Sequence, residues 1–371
     1  MKLKELFTFL PKSDKPASYG KESGIYPFFT SSNVINKYVD EADYSGEFLI
    51  IGDGGTGNCK YYNGAFSASD HNYVLKPINH KNTRLIRYFL MKDDYKVLND
   101  GFKGVGIKNI SKSYIGEIEY YKNSKYSDEF VVDSLDHING EIDKLNNELF
   151  LFDELIKSRF IEMFGSIENN IKKYSISKIE DLCILIKDGT HQTPTYVDKS
   201  NNSFKFLSSK DVMSKTIDWS NIKYIPESLH KKLYAAVKPQ KNDILMSKNG
   251  VNYGVAAVND TNEIFDIYVS LALLRPNLSI ITPEYFSYAL NDDDTKQQFK
   301  ASIKGVGVPN LHLGEIKKAK ILVPPIKEQL EFIYYTKQID KLKFNVQKQI
   351  KYYQELLDLK MHEYFDVEEE D

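Results

Sequence analysis

Arginine is scarce in this chain. Among 49 basic residues only Arg84, Arg87, Arg159 and Arg275 are arginines. That removes most of the bidentate forks that read guanine and leaves Lys, Asn, Gln, Ser and Thr for polar recognition. An excess of one charge is also missing. Against the 49 basic residues stand 52 acidic ones, a formal net charge of −3, so a polyanionic partner has to be met by a local patch rather than a global field. Cys59 and Cys183 are the only cysteines, which excludes a disulfide framework and a cysteine-based zinc site and fits a reducing compartment. His71 and His80 have no carboxylate at ligand spacing, so no metal site is expected. No apolar run approaches the roughly 20 residues a bilayer needs, and the N-terminal stretch turns polar after Leu10, so the chain is expected to be soluble and cytoplasmic. Catalytic signatures are missing as well: no phosphate-binding G-x-x-x-x-G-K-[ST] loop, H-E-x-x-H, G-x-S-x-G elbow or amino-methyltransferase Asp/Asn-Pro-Pro-Tyr/Phe motif.

What is present is a folded composition over 371 residues, 42% hydrophobic and 13% aromatic, long enough for two or three domains. The chain is also written twice. Lys103-Gly-Val-Gly-Ile-Lys-Asn109 recurs as Lys304-Gly-Val-Gly-Val-Pro-Asn310, and Val74-Leu-Lys-Pro77 recurs as Leu273-Leu-Arg-Pro276. A repeat near 200 residues is a duplicated domain, not a solenoid. Each copy ends in a long amphipathic segment. Leu135, Ile138, Ile142, Leu145, Leu149, Phe152 and Ile156 follow 3-4 spacing, the stripe of a coiled coil. In the second copy Ile339, Leu342, Val346, Tyr353 and Leu356 occupy the same spacing, with Gln349 interrupting it. The stripes are expected to pair with one another. The first helix, from about Ser127 to Phe164, would span roughly 55 Å.

Ahead of each helix the reading is short strands and loops. Glu47–Ile51, Asp243–Met246 and Ile267–Leu274 are expected strands, with short helices at Thr83–Asp93 and Pro283–Phe299. The fold class is therefore mixed α/β (α+β): two globular domains, each followed by a long helix, the helices forming an antiparallel coiled coil. Boundaries fall at residues 1–126, 127–165, 172–325 and 326–366.

Candidate polar readers cluster in glycine-bearing loops. Gly52-Asp-Gly-Gly-Thr-Gly-Asn58 leads into a strand rather than a helix, which argues against a dinucleotide loop and for a hairpin, with Thr56, Asn58 and Lys60 as candidate contacts. Asp188-Gly-Thr-His-Gln-Thr-Pro194 supplies Thr190, His191, Gln192 and Thr193, side chains able to bond base edges. Lys210, Lys248, Asn249, Asn252, Tyr253 and the duplicated Lys103 and Lys304 complete the set. The same residue types also form ordinary turns, and Asp292-Asp-Asp294 reads as a solvated helix end.

Asp188-Gly-Thr-His-Gln-Thr-Pro194, then Gly305-Val-Gly-Val-Pro-Asn-Leu311, then Ile321-Leu-Val-Pro-Pro-Ile-Lys-Glu-Gln329 at a helix start together resemble the specificity (S) subunit of type I restriction-modification systems. Gly24-Ile-Tyr-Pro-Phe-Phe-Thr-Ser31 resembles a common opening of its domains. The first copy departs at Tyr120–Glu129, where the prolines are missing, and it has no Asp-Gly-Thr-His loop. The resemblance implies two target-recognition domains, each reading half of a split site in double-stranded DNA. It implies long helices that hold them apart and dock modification (methyltransferase) subunits, expected to be two, with restriction subunits joining. Catalysis, S-adenosylmethionine, ATP and Mg would belong to those partners, and this chain would bind no cofactor of its own. A standalone methyltransferase or nuclease with diverged motifs, and a coiled-coil protein-binding scaffold, are the alternatives.

Overall fold

The computed structural model describes residues 1–79, 83–106, 108–303 and 309–366. It divides into two compact units, one of residues 1–149 with the C-terminal stretch from Phe344, the other of Phe150–Lys343. Both are mixed α/β.

The first unit is built on a six-stranded sheet of β1 (Phe7–Phe9), β2 (Tyr26–Phe29), β3 (Tyr38–Val39), β4 (Tyr44–Gly52), β5 (Cys59–Ala68) and β6 (Asn72–Pro77), in the order β1-β6-β4-β5-β2-β3. Leu49-Ile50-Ile51 is apolar towards both faces. That places β4 between β5 and β6, with all three residues fully buried. The helix Thr83–Asn99 buries Leu85, Ile86, Phe89 and Leu90 and loses helical geometry at Lys92–Tyr95. The end of the chain completes this unit. Phe365 is fully buried and meets Phe89 edge-on at 5.9 Å, and the Asn123 amide donates to the Tyr364 carbonyl at 2.9 Å.

In the second unit β7 (Ser175–Lys178) pairs with β15 (Lys320–Val323). β8 (Cys183–Asp188), β11 (Ile244–Ser247), β12 (Ala256–Val258) and β14 (Leu271–Pro276) form a sheet in the order β12-β11-β14-β8. β9 (Ser203–Leu207), β10 (Lys223–Pro226) and β13 (Phe265–Ile267) form another, ordered β10-β9-β13. The strand expected over Ile267–Leu274 is thus two strands in different sheets. The cause is local: Thr190 N–H donates to the Ile267 carbonyl at 3.0 Å, and Gly189 N–H to that of Leu271 at 3.3 Å, so the loop after β8 occupies the break. A Cβ on Gly189 would lie 2.2 Å from the Ile267 oxygen. Asp292–Asp294 is not merely a solvated end. Asp292 caps the helix Asp293–Ser302, and Asp294 accepts the Ile167 amide at 2.9 Å.

The long helices run Asp128–Phe164 and Ile326–Phe365. In the first unit Leu135, Ile138, Ile142 and Leu145 are buried, Ser134 Oγ meets Tyr364 Oη at 3.1 Å, and Tyr126 packs on Tyr364. In the second, Phe152 and Ile156 pack in one cluster with Phe332, Ile333 and Ile339, Phe160 meets Phe332 at 5.3 Å, and Lys343 pairs with Asp153 at 2.6 Å. The pairing is antiparallel within the second unit, where Phe160 meets Phe332 and Asp153 meets Lys343. Leu149 is half-buried. The second helix differs from expectation. Its inward positions are Phe332, Thr336, Ile339, Lys343, Val346, Ile350, Tyr353 and Leu357, a 4-3 alternation. Ile339, Val346 and Tyr353 stand as expected, but Leu342 is 47% exposed and Leu356 only half-buried; the buried neighbour of Gln349 is Ile350. Polar Thr336 and Lys343 on the true stripe made the wrong alternation look better.

Gln329 fixes the start of this helix. Fully buried, its Nε2 donates to the carbonyls of Pro324 (2.8 Å) and Ile280 (3.1 Å), and its Oε1 accepts the amide (2.8 Å) and hydroxyl (3.2 Å) of Thr282. Gln329→Leu keeps the volume and strands those groups. It is expected to lower unfolding free energy by about 2–4 kcal/mol in urea melts; a loss within error would show that the amide is dispensable. Gly189→Ala drives a methyl into backbone oxygen and is expected to cost at least about 2 kcal/mol. An unchanged melting curve would contradict the close approach.

Candidate nucleic-acid interface

The two units repeat one strand-pairing scheme. β4 meets β6 with Leu49 opposite Leu75 and Gly52 opposite Asn72; β11 meets β14 with Ile244 opposite Leu274 and Ser247 opposite Leu271. β2 runs parallel to β5 with Phe29 opposite Ala68, as β9 does to β13 with Leu207 opposite Ile267. Gly54 bridges Asn109, and Asn249 bridges Asn310. The Ile110 amide reaches the Asp53 carbonyl at 3.0 Å, and the Leu311 amide that of Lys248 at 2.8 Å. Asp53 and Lys248 therefore hold equivalent positions, each just past a central strand where glycine-bearing loops emerge. The loops differ while the frame is shared.

Several expected contacts sit on these loops. Thr56 is exposed beyond β4, and Lys103 is exposed in a backbone bridge with Asn109. His191 and Gln192 are exposed, and Thr193 Oγ1 lies 3.4 Å from Tyr268 Oη. Thr190 is half-buried, its hydroxyl accepting the Gln192 amide at 3.2 Å. Asn249 and Asn252 are exposed, Asn249 bonded to the Asn310 side chain at 3.2 Å. Lys210 is exposed and donates to the Asn221 carbonyl at 3.2 Å. Lys304 lies outside the described residues, as does His80.

Three candidates, Asn58, Lys60 and Lys248, are corrected by their burial. Asn58 is buried, its amide spent on Gly52 N, Ser31 O, Thr56 O and Lys60, so it holds the hairpin and presents nothing to a ligand. Lys60 is buried on β5, donating to Asn58 and the Thr30 carbonyl, and burial lowers its pKa to about 8. Lys248 is 5% exposed and ion-paired with Asp188. Tyr253 is half-buried against the core of the second unit. Polar residues beside glycine look alike whether they face ligand or hold a loop.

Residues that sequence reasoning passed over lie at the same place. Asp53, 7% exposed, pairs with Lys12, and its carboxylate lies 3.0 Å from His71 Nδ1. No spacing rule joins them; the hairpin of β5 and β6 carries His71 back to the end of β4. Among the described residues Asp93, Asp358 and His362 have ligand atoms close enough to share a cation. They already form an ion-pair network: His362 Nε2 lies 2.9 Å from Asp93 and Nδ1 2.8 Å from Asp366, which raises the His362 pKa.

With this geometry in place, comparison with known proteins is informative. Residues 1–121 match the family described as Type I restriction modification DNA specificity domain. A relative from Methanocaldococcus jannaschii, named as a type I restriction enzyme MjaX specificity subunit, is 26% identical over 196 residues; the match covers 49% of this chain and 45% of that protein's length. The chain thus spans about half of that relative. The crystal structure of a type I restriction-modification S subunit from M. genitalium superposes over 99% of this chain and 96% of its own, with TM-score 0.54 and 14% identity. A chain from a structure concerned with complex assembly and conformational transition of the type I R-M system covers 98% and 96%, with TM-score 0.51 and 14% identity. No helix among the described residues is long and apolar enough to cross a membrane. Residues 1–121 are thus similar to the type I restriction modification DNA specificity domain, and the chain shares its fold along nearly its whole length with a type I S subunit.

Proposed function

We propose that this chain is the specificity subunit of a type I restriction-modification complex, a DNA-binding protein that reads a bipartite, asymmetric site. The observation that carries this reading is the duplication itself: two units with one strand-pairing scheme and different exposed loops where their central strands end. One frame with two loop sets suits recognition of two different short sequences, through Lys, Asn, Thr, Gln and His side chains on the base edges and phosphates. The target-recognition domains are residues 1–126 and 172–325, and the helices of 127–165 and 326–366 join them to the rest of the complex.

The outer helix faces support docking of other chains. Phe150, Leu151 and Leu155 on the first helix are 45–60% exposed, and Leu330 and Tyr334 on the second 52% and 69%. Large apolar side chains grouped in this way suit a protein partner. That partner is taken to be the modification (adenine methyltransferase) subunits, two in number, with restriction subunits joining. S-adenosylmethionine, ATP and Mg would be bound there. The chain itself is proposed to be non-catalytic and to act in the cytoplasm.

Three outcomes test this. The chain purified without partners is expected neither to methylate nor to cut DNA; turnover by such a preparation favours the enzyme alternative. Exchange of residues 176–323 for the corresponding stretch of another S subunit is expected to change one half of the methylated site in the host methylome, and a change in both halves refutes modular reading. Phe150→Lys with Leu155→Lys is expected to abolish co-purification of the modification subunit while the melting temperature of the chain stays near wild type. Retained co-purification would move the docking surface elsewhere.

A further inference from the structure

Each unit places a lysine–aspartate pair with one buried member at the root of its loops, and the two pairs have opposite polarity. In the first, Asp53 stands past β4 and Lys12 past β1. In the second, Lys248 stands at the position equivalent to Asp53, and Asp188 ends β8, the strand that pairs with β14 as β1 pairs with β6. Each carboxylate also faces one exposed imidazole. His71 Nδ1 lies 3.0 Å from Asp53 with 61% of its side chain exposed, and His191 Nε2 lies 3.9 Å from Asp188 with 77% exposed.

The two histidines come from different loops. His71 arrives from the turn between β5 and β6, and its carbonyl accepts the Asp53 amide at 3.1 Å and the Ser31 hydroxyl at 2.8 Å. His191 arrives from the loop after β8, where its neighbour Thr190 is held by the Ile267 carbonyl and the Val269 amide. The backbone at or beside each ring is fixed, a carboxylate stands against one ring nitrogen, within hydrogen-bond distance for His71 and at ion-pair distance for His191, and most of each ring is open to solvent. A ring held in this way loses little freedom on meeting a ligand, and its free nitrogen can bond a base edge or a phosphate oxygen.

We infer that His71 is a DNA-contacting residue of the first unit and the functional counterpart of His191 in the second, with Lys12–Asp53 and Asp188–Lys248 as the positioning pairs. This rests on the DNA-recognition reading above. Reversing the pair changes which strand end carries the carboxylate, and hence which loop has to supply the histidine.

The test is selection of duplexes from a random-sequence library by the complex of the full chain with its modification subunits. Wild type is expected to enrich two separated sequence blocks. His71→Ala is expected to weaken one block at least tenfold and leave the other unchanged, and His191→Ala to do the reverse. His71→Asn, which keeps a donor for Asp53 and removes the outward ring nitrogen, is expected to behave as His71→Ala; recovery by Asn would reduce His71 to a structural tie and overturn its contact role. Asp188→Lys with Lys248→Asp keeps an ion pair in the second unit but leaves His191 facing an ammonium group, so near-normal melting with loss of the second block is expected. Two blocks untouched by both alanine substitutions overturn this inference and leave DNA recognition standing. A wild-type complex that enriches no sequence overturns both.

Discussion

A long helix with a continuous apolar stripe is not stable alone in water, and here the stripe on Asp128–Phe164 is covered by the one on Ile326–Phe365. Everything else follows from how that cover is arranged. Each compact unit takes a portion of both helices, so the first is assembled from two separate stretches of chain while the second, Phe150–Lys343, is continuous. The first unit is completed only when Tyr364 and Phe365 arrive, both essentially fully buried in it. The core of the first unit therefore depends on residues that follow the second unit in sequence, and the second unit is an insertion within the first in sequence terms. Its helix start is held by a fully satisfied buried glutamine, which fixes where the strand β15 ends and the helix begins.

Within that frame the duplication separates what is constrained from what is free. The end of β4 from Phe48 and the whole of β11 are buried and meet the same neighbours at corresponding positions, so their side chains are limited to compact, mainly apolar types. Past Gly52 and Ser247 that limit ends. The hairpin from Asp53 to Asn58 is held by the Asn58 amide, whereas the loop from Lys248 to Gly254 is held by the Ser247 hydroxyl on the Asn252 carbonyl. Different sequences solve the same closure, which lets exposed positions differ without disturbing the sheet below.

The sequence made the architecture legible wherever a pattern repeated many times. The duplication, the first helix and its stripe from Leu135 to Ile156 were all visible, because seven apolar positions at one alternation leave little room for another period. In the second stripe every other position after Ile339 reads one residue early, at Leu342, Gln349 and Leu356, since Thr336 and Lys343 weaken the true alternation. Ile267–Leu274 read as one strand because composition does not reveal that Gly189 and Thr190 bond into its middle. Of the polar loop residues, Asn58 and Lys60 were misread for a physical reason. Whether an amide or ammonium is spent on the backbone depends on closures from distant residues such as Ser31 and Thr30. The Asp53–His71 contact joins two turns of neighbouring hairpins and leaves no spacing for a reader of one sequence to find.

The reversed ion pairs show why such a feature is invisible in composition yet consequential in structure. Lys248 and Asp53 are largely withdrawn from water, whereas their partners Asp188 and Lys12 keep 24% and 38% of their side-chain exposure. Replacing Lys12 or Asp188 alone would leave the more buried charge without its partner, at a cost of about 3–5 kcal/mol in full burial and less here because the pair is partly wetted. Both polarities satisfy that requirement equally, and neither is reached from the other through a single substitution without passing through the unpaired state. The carboxylate therefore stays at whichever strand end it occupies, and the loop able to place an imidazole against it is settled with it: the turn before β6 in one unit, the segment after β8 in the other.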